Sequence, residues 1–206
     1  MVQILAEYGG FAVEYDQTKN PYFKSIMLEN LTLLQSKDLG RKLLKLIKDA
    51  TPQSRGSFPL GVNVVCRPFQ MQYIQSGQKL AYSAGSAVRD TVAASAHPKH
   101  NVQGCRFHKY GSSLNKAVDP AQNDKNGTVC YMDFANTQVM ESDGTPTWAH
   151  IVLAHELIHS YHCLYGMHAG AEEEKKTTGI DGYEAEEFTE QAFRAVFDLP
   201  ARKGYG

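Results

Sequence analysis

The residues best suited to chemistry stand together as His155-Glu156-Leu157-Ile158-His159, an H-E-x-x-H pattern. On a helix, His155 and His159 lie one turn apart on one face and can offer two imidazole nitrogens to a single metal ion. Glu156 is rotated off that line, close enough to reach a metal-activated water without being a ligand itself. The chemistry implied is zinc-assisted hydrolysis. An H-E-x-x-H can also arise by chance on an amphipathic helix. Here, however, it sits among apolar residues, where two histidines and a carboxylate without partners would cost several kcal/mol, and a metal offsets that cost.

The element that must position these residues is a helix across residues 147 to 166. Thr145 or Thr147 can cap its first turn, Pro146 fits a first-turn position, and Gly166 is a natural stop. Trp148, Ile151, Val152, Leu153, Leu157 and Ile158 make it apolar on most sides, so it is expected to be buried.

The rest of the chain must bury that helix. It has 206 residues, 42% of them hydrophobic, which suits one domain with a substantial core. The net charge of -1 gives no electrostatic case for nucleic acid, and no run approaches the ~20 apolar residues of a membrane span. The first ten residues show no basic stretch followed by a long apolar run, so no secretory signal peptide is expected. Cys66, Cys105, Cys130 and Cys163 are widely spaced and read as buried reduced thiols.

Residues 1–20 read as an N-terminal extension with one short strand near Phe11 to Tyr15, ahead of a domain over residues 21–206. From Tyr22 to Ala50, apolar residues recur at helical spacing, and Gly40 is expected to break the run into two helices. Lys42, Lys45 and Lys48 read as a solvated face. Strands are expected over Leu60 to Cys66, Met71 to Gln75 and, after the Asn126-Gly127 turn signal, Thr128 to Asp133. The last of these suits backbone pairing with an extended substrate. His97 and His100 read as surface residues.

A zinc hydrolase needs a third protein ligand, with the fourth position left for water. His162 falls three residues after His159 on the same helix, which suits packing or support better than ligation, and His168 is possible in principle. Glu172, Glu173, Glu174, Asp181, Glu184, Glu186, Glu187 and Glu190 offer better geometry, and spacing alone does not choose among them.

A family resemblance does choose. Glu173-Glu174-Lys-Lys-Thr177-Thr-Gly179 resembles the E-E-x-R-T-x-G signature that follows H-E-x-x-H in clostridial neurotoxin light chains and in NleD-like effector metallopeptidases, with Lys176 in place of the usual Arg. Thr189-Glu190-Gln-Ala-Phe193-Arg194 and Pro200-Ala-Arg202-Lys-Gly-Tyr205 resemble the closing patterns of the second group, [ST]-E-x-x-[FI]-R and P-x-R-x-x-Y. The resemblance spans roughly the last 60 residues. It implies His155, His159 and Glu174 as zinc ligands, Glu156 as general base, Glu173 supporting the ligands from behind, and Arg202 and Tyr205 stabilising an oxyanion. Residues 178–183 faintly resemble an aspartate-zincin motif, which makes Asp181 the alternative ligand.

The expected fold is α+β, a small single-domain zincin with a short twisted sheet, a buried active-site helix and a further helix from Tyr183 to Leu199. The resemblance implies a monomeric, secreted zinc endopeptidase. By that reading a type III system delivers it into a host cell, where it cleaves a host protein, the family's targets being stress-activated MAP kinases. A toxin domain of a contact-dependent system would keep the chemistry and change the target. A non-catalytic zinc-stabilised domain would need a fourth protein ligand, and none is obvious.

Overall fold

The computed structural model describes residues 2–50, 62–68, 85–91, 128–134, 136, 138–141, 143–165, 167 and 169–204. Its sheet is made of β1 (Val2–Ile4), β2 (Phe11–Glu14), β3 (Val64–Pro68), β4 (Gly85–Thr91) and β5 (Thr128–Phe134), in the spatial order β1-β2-β3-β5-β4. β2, β3 and β5 run parallel, whereas β1 and β4 pair antiparallel at the two edges. Register aligns Phe11 with Val64 and Val64 with Cys130, then Val13 with Cys66 and Cys66 with Met132. Because side chains alternate faces along a strand, these residues form two apolar rows on one face, and all six are buried in the main core.

That face is covered by helices. α1 (Phe23–Gln35) and α2 (Asp38–Asp49) connect β2 to β3, a helical crossover of the kind parallel pairing requires. α3 (Ala149–Leu164) packs against β4 and β5 and also against α1 and α2. Residues 151–160 of α3 are all buried, as the near-continuous apolar sequence led us to expect. The mixed helix and sheet content is that of an α+β fold.

Several expectations need correction. Residues 1–20 supply β1 and β2 to the same sheet, and Leu5, Tyr8, Phe11, Val13 and Tyr15 enter the shared core, so this segment is part of the domain's body. The helical run breaks at Ser36 and Lys37, before Gly40. Gly40 lies in the first turn of α2, where a Cβ atom would stand 1.9 Å from the Leu34 carbonyl oxygen, so its smallness lets α2 cross α1 closely. Pro146 and Thr147 do not begin α3. They form β7 (Pro146–Thr147), paired with β6 (Val139–Met140) in a separate two-stranded ribbon.

The helix expected from Tyr183 starts only at Glu190, because Phe188 and the preceding residues turn irregularly and Thr189 is the cap. Its Oγ1 accepts from Ala192 N at 3.0 Å. The helices after α3 are thus a 3-10 turn (Gly170–Glu172), α4 (Glu173–Thr178) and α5 (Glu190–Val196). Lys42 and Lys45 are exposed and pair with Glu187 and Asp49. Cys66 and Cys130 are buried and reduced. The expectations for residues 71–75, 97, 100, 126–127 and 205 fall outside the described residues, as do residues 60 and 61 of the expected Leu60 to Cys66 strand, which begins at Val64 after the non-strand residues Val62 and Asn63.

Candidate metal centre

Three ligating atoms converge where α3 faces the first turn of α4. His155 Nε2 lies 3.1 Å from His159 Nε2 and 3.3 Å from Glu174 Oε2, and His159 Nε2 lies 3.5 Å from Glu174 Oε1. The i, i+4 spacing on α3 sets the imidazoles side by side, and the 3-10 turn delivers Glu174 against them. Among the described residues this is the group that brings three such atoms within 4.8 Å of one another.

The tautomers follow from the backs of the two rings. His155 Nδ1 lies 2.9 Å from Glu190 Oε2, and His159 Nδ1 lies 3.0 Å from Glu173 Oε1. A carboxylate only accepts, so each Nδ1–H donates and each neutral ring turns a lone pair on Nε2 toward the shared point. Two imidazole lone pairs and a carboxylate aimed at one point repel one another unless a cation lies between them. Donors at ~2.0–2.1 Å from a tetrahedral zinc sit about 3.3–3.4 Å apart, close to the 3.1 Å between the two Nε2 atoms and to the 3.3 and 3.5 Å from them to the two oxygens of Glu174. The donor set and its spacing therefore fit zinc. Without a metal, protons take the role. Burial opposes charging of His155, but the carboxylates of Glu174 and Glu190 outweigh it and push its pKa up to about 9. His159 is raised as well, by Glu174 and Glu173 against the same burial, and Glu174 is held well below the usual carboxylate range by the two rings.

Glu173 is the hub on the His159 side. Its Oε1 also accepts from His162 Nδ1 at 2.7 Å and from Thr177 Oγ1 at 3.2 Å, while Oε2 accepts from Ala169 N at 2.8 Å. His162 is thereby a support for Glu173 and points away from the three clustered atoms. Glu173 and Glu174 stand in the first turn of α4, where carboxylates are favoured. The helix stops at Gly179, left-handed at φ 82°, where an added Cβ would lie 2.6 Å from the Thr189 side chain. That close approach joins the end of α4 to the cap of α5 and so brings Glu190 under His155.

Glu190 is the residue that sequence reasoning missed as a functional group, having been only one of eight candidate carboxylates. It is 1% exposed. Besides His155 it accepts from Arg194 Nε at 2.7 Å and from Arg202 Nη1 at 3.1 Å. These partners offset the burial cost and hold its pKa down at about 2. Arg194, wholly buried, donates onward to the carbonyls of Pro146 and Pro200 and to Thr147 Oγ1. The signal that could have found Glu190 is the Thr-Glu-x-x-Phe-Arg pattern itself: a helix cap, a carboxylate and an arginine one turn on.

Arg202 is held as well, 8% exposed, with Nη2 3.0 Å from Glu141 Oε2. Glu156 is buried on α3 between the two histidines in sequence. Asp181 stands apart: it is exposed, 3.6 Å from Lys175 Nζ, and outside the clustered group. Lys176, where the family pattern has Arg, donates to the Met167 carbonyl at 3.0 Å, tying down the loop between α3 and α4.

The model of the Peptidase_M91 family, described as effector protein, matches residues 12–189. No match was found among curated proteins. Among solved structures, the chain is similar to the light chain of botulinum neurotoxin type G, at 14% identity and a TM-score of 0.47, over 91% of this chain and 54% of that one. It is also similar to the light chain of botulinum neurotoxin serotype HA, at 16% identity and a TM-score of 0.38, over 73% of this chain and 37% of that one. The chain thus spans between about a third and just over half the length of these two light chains.

Proposed function

The chain belongs to the Peptidase_M91 family of NleD-like effectors, and we propose that it is a metalloendopeptidase that cleaves a host protein with one zinc ion held by His155, His159 and Glu174. The observation that carries this reading is the convergence of the two Nε2 atoms, 3.1 Å apart, on the Glu174 carboxylate, whose Oε2 lies 3.3 Å from His155 and whose Oε1 lies 3.5 Å from His159. Zinc held there supplies Lewis acidity to the scissile carbonyl and acidifies water toward a pKa of ~7. Glu156, one residue after the first ligand, takes the proton of the attacking water on its carboxylate and hands it to the leaving amine nitrogen. The guanidinium of Arg202 and the hydroxyl of Tyr205 stabilise the negative oxygen that develops on the substrate carbonyl. Glu190 and Glu173 keep both imidazoles in the tautomer that ligates, and Glu190 also links Arg202 to His155.

The family's description as effectors supports delivery into a host cell, and we place the substrate among host proteins, stress-activated MAP kinases being the first to test. No described helix is long and apolar enough to cross a membrane. We take the active species to be a monomer, since the three proposed ligands come from one chain. The test is to incubate zinc-loaded protein with a host-cell lysate and map new N-termini by mass spectrometry. New termini that appear with wild type and vanish with Glu156→Gln are expected. A lysate with no Glu156-dependent cleavage contradicts the reading.

A further inference from the structure

The turn between β6 and β7 spends two carboxylates on the last described residues of the chain. Its backbone is closed by Glu141 N to Thr145 O and Gly144 N to Glu141 O, both 3.0 Å, with Gly144 at φ 81°. Asp143 Oδ1 accepts from Thr145 N at 2.8 Å, which fixes the side chain on the turn. Its other oxygen, Oδ2, accepts from the amides of Lys203 at 2.6 Å and Gly204 at 3.3 Å. Glu141 takes Arg202 Nη2 at 3.0 Å. From the opposite side, Gln191 pairs with the Arg202 backbone in both directions, at 2.6 and 2.9 Å. Residues 202–204 are thus held from two elements.

We infer that the β6–β7 turn is a positioning clamp for the C-terminal segment, with Asp143 and Glu141 as the positioning residues that hold Arg202 in register with Glu190 and His155. The inference rests on the role given to Arg202 above. Asp143 acts through the 203–204 backbone and touches no reacting atom, so it sets the placement of a guanidinium without contributing charge to the site itself. Several amides bound to one carboxylate, those of Thr145, Lys203 and Gly204, hold Asp143 well below the usual carboxylate range. Sequence position hid it: Asp143 and Lys203 lie sixty residues apart.

The test uses the full zinc-loaded chain, with a peptide selected from a fluorogenic library by the wild type as substrate. In Asp143→Ala, amide exchange at Lys203 and Gly204 should accelerate about tenfold or more, while zinc content and melting temperature stay near wild type. The turnover number should fall about tenfold with little change in KM, and Asp143→Ala with Arg202→Ala should be no slower than Arg202→Ala alone. Unchanged amide exchange at Lys203 and Gly204, or costs that add in the double variant, would overturn the clamp. An Arg202→Ala enzyme as fast as wild type would instead remove the catalytic role of Arg202, with amide exchange still deciding whether the clamp exists.

Discussion

Glu190 Oε2 lies 2.9 Å from His155 Nδ1, although the two residues are thirty-five apart in the chain and on different helices. The same oxygen takes Arg202 Nη1 at 3.1 Å, so one carboxylate fixes the tautomer of a proposed zinc ligand and the position of a proposed oxyanion group.

Glu190→Gln is therefore predicted to weaken zinc binding by about 10–100-fold, the usual cost of removing such a support. It also leaves the buried Arg194 without its carboxylate, and Arg202 with Glu141 alone, which costs about 3–5 kcal/mol and should show as a lower melting temperature even with zinc saturating. Zinc titration and thermal unfolding of the variant check both. A Glu190→Gln protein with wild-type zinc affinity would contradict the role.

Glu173→Gln tests the other imidazole. Glu173 joins His159, His162, Thr177 and the Ala169 amide. An amide in its place can accept from only one side, so His159 loses its fixed tautomer, and zinc affinity should again drop about 10–100-fold. His162→Gln leaves the Glu173 contact to His159 in place and should cost much less. Equal losses for the two would show that His162 is more than a support.

In the metal-free protein His155 carries a pKa of about 9, raised from 6.5 by Glu174 and Glu190 against burial. A raised pKa stabilises the fold fully below 6.5, and that contribution is lost as pH climbs through about 9. Zinc needs the ring deprotonated, so its own stabilisation should grow across the same window. Denaturant midpoints measured with chelator and with zinc at pH 6, 7.5 and 8.5 should diverge as pH rises. A gap that narrows would contradict the assignment.

Much of this was legible in the sequence for physical reasons. A helix periodicity of 3.6 places His155 and His159 together without any knowledge of the rest of the fold, and the apolar run around them requires burial. Glu174 is singled out by the resemblance to the E-E-x-R-T-x-G signature and not by spacing, which leaves eight carboxylates open. What could not be read were groups whose place depends on tertiary contacts. Glu190 reaches His155 only because Gly179 lets α4 and α5 meet at Thr189. Thr147 looks like a helix cap, yet it pairs in β7 and accepts from Arg194, a residue nearly fifty positions away. Gly40 reads as a break, whereas its lack of a side chain serves a helix crossing.

Gly40→Ala tests that last point away from the site. The new methyl would meet backbone rather than a movable side chain, so α1 and α2 must part, at a cost of about 1–3 kcal/mol. The melting temperature should fall by several degrees while zinc bound per folded chain stays the same. A neutral or stabilising effect would mean the crossing is looser than described.

In the proposed site His155, His159 and Glu174 hold one zinc ion while Glu156 handles protons. The most direct measurement is zinc per chain by elemental analysis of purified wild type, Glu156→Gln and Glu174→Ala, with all three confirmed folded. We predict one zinc in the first two and loss of zinc in the third. Zinc retained in Glu174→Ala would contradict the ligand set, and a wild type without zinc would contradict the metalloenzyme account at its root.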